Sequence, residues 1–147
     1  MDHESIAQAL IDAAMRVHSR LGPGLLENVY EACLVHELTK RGLLVAQQLP
    51  VPLDYDGLRL DVGYRVDLLI EQKVIVELKA IEKLLPIHAA QLLSYLRLGR
   101  YQLGFLLNFN TVHLRQGIRR VVNGYKTDAS EEPRLPPRPP RPPRPPR

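Results

Sequence analysis

YRVDLLIEQKVIVELKA, residues Tyr64 to Ala80, sets two apolar runs, Val66 to Ile70 and Val74 to Leu78, around the polar triplet Glu71, Gln72 and Lys73. Such a pattern predicts a β-hairpin with a short loop. With the loop centred on Gln72, Ile70 faces Val74, Leu68 faces Val76, and Asp67 faces Glu77. Side chains alternate along a strand, so Lys79, two residues past Glu77, joins the acids on one face of the sheet. Val66, Leu68, Ile70, Val74, Val76 and Leu78 are expected on the opposite face. Leu69 and Ile75 make the far end of the polar face apolar, which places the acids beside a buried centre.

Two carboxylates side by side repel each other unless a proton or a cation lies between them. A hard divalent cation such as Mg2+ meets that need, since it takes one or two protein carboxylates and keeps several waters. A lysine beside such a site can hold an attacking water and balance phosphate charge. The same spacing also allows a plainer arrangement, two strand-end acids with Lys79 as their salt-bridge partner.

Moving outward, Ile6, Leu10, Ile11, Ala14 and Val17 predict a first helix over residues 4–20, stopped by Leu21-Gly22-Pro23-Gly24. A second helix is predicted from about Leu25 to Arg41, closed by Gly42. Asp56-Gly57 between apolar alternations marks a tight hairpin turn, and Pro50 and Pro52 assign its first strand to a sheet edge. Beyond the central hairpin, Pro86 to Leu98 reads as a helix with Gly99 as its stop. Leu103 to Phe109 reads as a strand, and Val112 to Leu114 and Ile118 to Val122 as two weaker ones. The expected fold class is α/β, one domain over residues 1–126.

Residues 127–147 form a linker and a low-complexity tail, PRLPPRPPRPPRPPR from Pro133, expected to be disordered with polyproline II character. A three-residue repeat would align Arg138, Arg141, Arg144 and Arg147 along one edge, about 9 Å apart. The net charge of +4 is largely a property of this tail. Without its five arginines, residues 1–132 keep 15 Lys and Arg against 16 Asp and Glu, a net of −1, so nucleic-acid contact by the folded part requires a local basic patch. Hydrophobic residues make up 45% of the chain, which suits a globular protein rather than a disordered one. The single cysteine, Cys33, excludes an intrachain disulfide and is expected in the core. MDHESIAQAL has no secretory pattern and no apolar run spans a bilayer, so the expectation is a cytoplasmic protein with no membrane partner.

The strings GLLENVY at Gly24 to Tyr30, YRVDLLI, VIVELKA and HAAQLLSYL, in that order, closely resemble the GxxExxY family, a set of small proteins similar to PD-(D/E)XK nucleases. The resemblance implies a restriction-endonuclease-like αβββαβ core preceded by an extra N-terminal helix. It implies that Asp67 and Glu77 are ligands for Mg2+ or Mn2+, that Lys79 is the catalytic lysine, and that Glu27 completes the acidic site. Glu27 also suits the first turn of a helix on electrostatic grounds alone, and Glu31 is a further candidate one turn on. His88, Gln91 and Tyr95 fall on one helical face. Gln91 and Tyr95 are similar to a Q-x-x-x-Y motif that some exonuclease branches place beside the active site, which makes Gln91 an assisting residue and Tyr95 and His88 candidate substrate contacts. His18 reads as structural. Val66 stands where the superfamily's name has proline, and RQGIRR at Arg115 to Arg120 stands where a basic K-R-I ending is expected.

The implied activity is metal-dependent hydrolysis of phosphodiester bonds in DNA or RNA. The other class of function open to this sequence is a catalytically inactive module that binds nucleic acid or a protein partner. In either case the tail is expected to modulate affinity alone. Truncation after Glu132 should leave the thermal midpoint unchanged and weaken nucleic-acid binding at low salt, with little difference at high salt. A large loss of thermal stability would refute this.

Overall fold

The computed structural model describes residues 1–124. The tail and the boundary at residue 126 lie outside the described residues. The element order is α1 (His3–Leu21), α2 (Glu27–Lys40), β1 (Val45–Tyr55), β2 (Leu58–Ile70), β3 (Val74–Lys79), α3 (Pro86–Gly99), β4 (Leu103–Asn108), a 3₁₀ turn η1 (Leu114–Gly117) and β5 (Ile118–Val122). From α2 to β4 this is the αβββαβ core expected for a restriction-endonuclease-like fold, with α1 as the extra helix. The five strands lie in the sheet in chain order. All neighbours are antiparallel except β3 and β4, which run parallel because α3 carries the chain back across the sheet.

Helices cover both faces. α1 begins at Asp2, whose carboxylate accepts from Ser5 N–H at 2.7 Å, and it buries Ile6, Leu10, Ala13, Ala14 and Val17. Together with Tyr30, Leu34 and Leu38 of α2 these residues pack on Leu68, Ile70, Val74, Val76, Leu78 and Phe105. On the other face, Leu92, Tyr95 and Leu96 of α3 pack on Val51, Val66, Leu69, Ile75 and Leu106. β4 is buried along its whole length, and β3 along all but its last residue, Lys79. Such continuous apolar runs are what a strand covered on both sides requires.

The central hairpin has the expected register, Ile70 with Val74 and Leu68 with Val76, and its loop places Glu71 and Gln72 in the left-handed region. Four local expectations need correction. Val66 packs against α3 instead of sharing the face of Leu68, because the β1–β2 pair is irregular at Gln48 and Asp67. Gly99 does not stop α3: it is the last helical residue, and Arg100 takes the left-handed cap position at φ 61°. A side chain at Gly99 would meet the Tyr101 ring at 2.5 Å, so the glycine provides room rather than a turn. Residues 112–114 are not a strand: Val112 and His113 are exposed, and buried Leu114 opens η1. Cys33 is only partly buried, at the margin of the core under α1 and α2.

The turn between α1 and α2 is closed by one phenol. The buried Tyr30 hydroxyl donates to Gly22 O at 2.6 Å and accepts from Leu25 N–H at 3.1 Å, while its ring stacks on Phe109 with centroids 4.6 Å apart. Tyr30→Phe should keep the stack and strand both backbone groups, costing about 1–3 kcal/mol of stability in urea denaturation. An unchanged midpoint would show that the turn closes without the hydroxyl.

Candidate functional site

Asp67 and Glu77 sit where β2 leaves β3. The backbone ladder between the strands ends at Leu68 and Val76, and the two side chains continue it. Glu77 Oε1 accepts from Asp67 N–H at 3.1 Å, and Asp67 Oδ2 accepts from Leu78 N–H at 2.8 Å. Each acid thus holds the other's strand by a backbone amide. Lys79 follows on the same strand, with its main chain in register with Asn108 of β4. Among the described residues its ammonium makes no ion pair, so the plain salt-bridge arrangement is not the one adopted.

Glu77 is only 8% exposed, and its carboxyl is pushed up to about 8. Burial is the largest cause and the charge of Asp67 the next; the Asp67 amide and Lys79 oppose them. Without a cation, the pair is therefore relieved by a proton. Glu27, the first residue of α2, is also raised, by burial first, with Lys79 opposing and Asp67 and Glu31 adding. Its carboxyl lies within the field of the same cluster. Tyr95 is pushed up to about 12 by burial, then by the charge of Glu77, and its ring leans on Tyr64 with centroids 4.9 Å apart. Its hydroxyl stays protonated and remains a donor.

The other sequence candidates are less closely gathered. Gln91 is exposed one turn before Tyr95 and makes no side-chain hydrogen bond among the described residues. His88 is occupied at the start of α3, where Nδ1 accepts from Leu85 N–H at 2.9 Å. His18 is structural in the sense expected, with Nε2 against Thr111 O at 2.7 Å.

Sequence reasoning missed Gln48. It adopts φ 52°, and its amide donates to Asp67 Oδ1 at 3.2 Å and to Glu31 Oε1 at 2.9 Å. Gln47 donates to the other Glu31 oxygen at 3.1 Å. Glu31 is thereby committed to the two glutamines, which tie α2 to β1 beside the acids. Asn108 was also missed. Buried at the end of β4, it accepts from Ile81 N–H at 3.1 Å and donates to Ile81 O at 3.0 Å, fixing the chain just beyond Lys79.

Among the described residues, no three His, Cys, Asp or Glu side chains converge as a metal-holding group, so Glu27 is not drawn with Asp67 and Glu77 into a three-ligand set. The chemistry of the pair nevertheless fits Mg2+ or Mn2+. Both donors are hard oxygens, they are mutually repulsive, and Mg2+ needs no more than one or two protein carboxylates.

An αβββαβ core with a carboxylate pair at the fork of its sheet is of the restriction-endonuclease-like type. A family model described as the PD-(D/E)XK nuclease superfamily matches residues 4–121, and the chain belongs to that superfamily. No curated protein and no solved structure matches the chain. Among the described residues, no helix is long and apolar enough to cross a membrane.

The raised Glu77 carboxyl has a pH consequence. A folded pKa near 8, above the ordinary 4.5, contributes stability that is fully present below about 4.5 and is lost as pH rises through 8. In metal-free buffer the parent should lose stability over that window relative to Glu77→Gln, by up to about 1.4 kcal/mol per pH unit. Parallel stability profiles for the two chains would contradict the assignment.

Proposed function

We propose that this chain is a Mg2+- or Mn2+-dependent nuclease that hydrolyses phosphodiester bonds in DNA or RNA. Within its superfamily we group it with the GxxExxY proteins, whose motif runs here from Gly24 to Tyr30. The observation that carries the reading is the reciprocal seating of Asp67 and Glu77 at the strand fork, with Lys79 two residues on. Asp67 and Glu77 would hold the cation, which when bound supplies Lewis acidity and lowers the pKa of water.

The remaining steps belong to the protein's own side chains. Lys79, unpaired among the described residues, holds the attacking water and offsets charge on the phosphate in the transition state. Glu27, with a raised carboxyl affinity for protons, orients that water or takes its proton. The Tyr95 hydroxyl donates toward a phosphate oxygen, and Gln91 assists from the exposed turn before it. Gln48 keeps Asp67 oriented. His88 is committed to its helix and has no part in this scheme. A nucleic-acid substrate accords with the cytoplasm as its place of action.

Labelled single- and double-stranded DNA and RNA, offered with Mg2+ or Mn2+, test the reading. Cleavage is expected with at least one substrate, and Lys79→Ala should lower it by at least about 10²-fold. Calorimetric titration with Mg2+ should give heat in the parent and none in Asp67→Ala. Nucleic-acid binding without cleavage, indifferent to Lys79→Ala, would replace the nuclease with the inactive binding module.

A further inference from the structure

A cleft of about 670 Å³ opens between the last turns of α1, the Gly22-Pro23 turn and residues 112–116. We propose that it is a phosphate subsite, holding a nucleic-acid strand that runs past Asp67 and Glu77. The inference rests on the nucleic-acid substrate proposed above and adds where that strand lies outside the reacting group.

The chemistry of the lining points to an anion. The ionisable residues around the cleft are His18, His113 and Arg115, and no Asp or Glu lines it. His113 and Arg115 are exposed, and their side chains make no ion pair or hydrogen bond among the described residues. Ser19 and Gln116 add neutral polar groups at the walls. Arg119, by contrast, is turned back on its own segment, donating to Gln116 O at 3.0 Å and Ile118 O at 2.9 Å. It stiffens the wall that presents Arg115. A fork-shaped guanidinium with free donors is the side chain best matched to phosphate oxygens. The volume falls within the range of about 300–1,000 Å³ typical of small-ligand sites, which leaves room for a sugar with its phosphate.

The walls of the cleft are also supports of the carboxylate site. One is the Gly22 to Leu26 turn, which Tyr30 closes and which delivers Glu27. The other follows Asn108, the register partner of Lys79, through Phe109, the ring stacked on Tyr30. His18 joins the two through Thr111 O. A strand gripped here is therefore held by the same segments that position Glu27 and Lys79. It also gives the folded part a local positive group, through Arg115, which stands in the segment that departs from the K-R-I ending.

Anisotropy of a labelled oligonucleotide bound to the full chain in EDTA, at several salt concentrations, provides the test. Arg115→Ala should weaken binding about 3- to 10-fold at low salt and reduce the salt slope by about 1. Ser19→Asp, an exposed position in which a negative charge enters the cleft, should weaken binding at least as much. Arg16→Ala removes an arginine paired with Glu37 elsewhere on α1 and should have little effect. Circular dichroism melts establish that each variant is folded. Unchanged affinity and slope in both cleft variants would overturn the proposal, as would an equal loss in Arg16→Ala. So would Arg115-dependent binding of inorganic phosphate without any effect on the oligonucleotide. Arg115-dependent binding by a chain that cleaves nothing with Mg2+ or Mn2+ would uphold the subsite and refute the nuclease.

Discussion

Two carboxyl groups side by side in a sheet, one of them buried, require something to hold them there, because their repulsion and the lost hydration of Glu77 both act against folding. In this chain backbone amides do it: Asp67 N–H is taken by Glu77 and Leu78 N–H by Asp67. The bonds fall where the β2–β3 ladder stops, so the acids replace hydrogen bonds that the diverging strands would otherwise lose. The shape of the sheet and the chemistry of the site are one arrangement. β2 can leave β3 and continue alone with β1 because the two side chains satisfy the main chain at the fork.

That constraint propagates outward. Asp67 needs its second oxygen placed as well, and Gln48 supplies the donor from β1 at the cost of a left-handed backbone. Glu31 anchors the same amide and that of Gln47, which fixes α2 over the edge of the sheet. Beyond Lys79, Asn108 clamps the chain through both polar groups of Ile81. Gly117 lies so close to this residue that a Cβ would approach Asn108 O at 2.3 Å. The site is therefore braced from three directions by groups that have no reason to touch a substrate.

What the sequence revealed followed from short-range rules. A three-residue loop fixed the hairpin register, and period-two alternation then put Asp67, Glu77 and Lys79 together. The prolines of β1 correctly marked an edge strand. What stayed hidden depended on geometry that no local rule encodes. Counting back from the Asp56-Gly57 turn sets Gln48 opposite Arg65, whereas the register irregularity between Val51 and Leu53 shifts it opposite Asp67. The change of face at Val66 lies elsewhere, at the step of Asp67 and left-handed Gln48, and simple alternation could not foresee it. Gly99 looked like a helix stop because glycine often is one, yet its reason for being small is a ring from two residues later. That Glu27 shares the field of Lys79 and Asp67 was legible only through resemblance, since both are distant in the chain.

The Tyr30 hydroxyl, bonded to both Gly22 and Leu25, makes the connection between α1 and α2 a closed ring of fixed circumference. Adding or deleting one residue between Glu27 and Tyr30 would turn Glu27 by about 100° around the helix axis relative to the phenol. The hairpin tip at Asp56-Gly57 carries no such closure: its turn residues are exposed and its strands there pair only with each other. Natural length variation, and any peptide tag grafted into the domain, should therefore accumulate at the tip and be shut out of the ring.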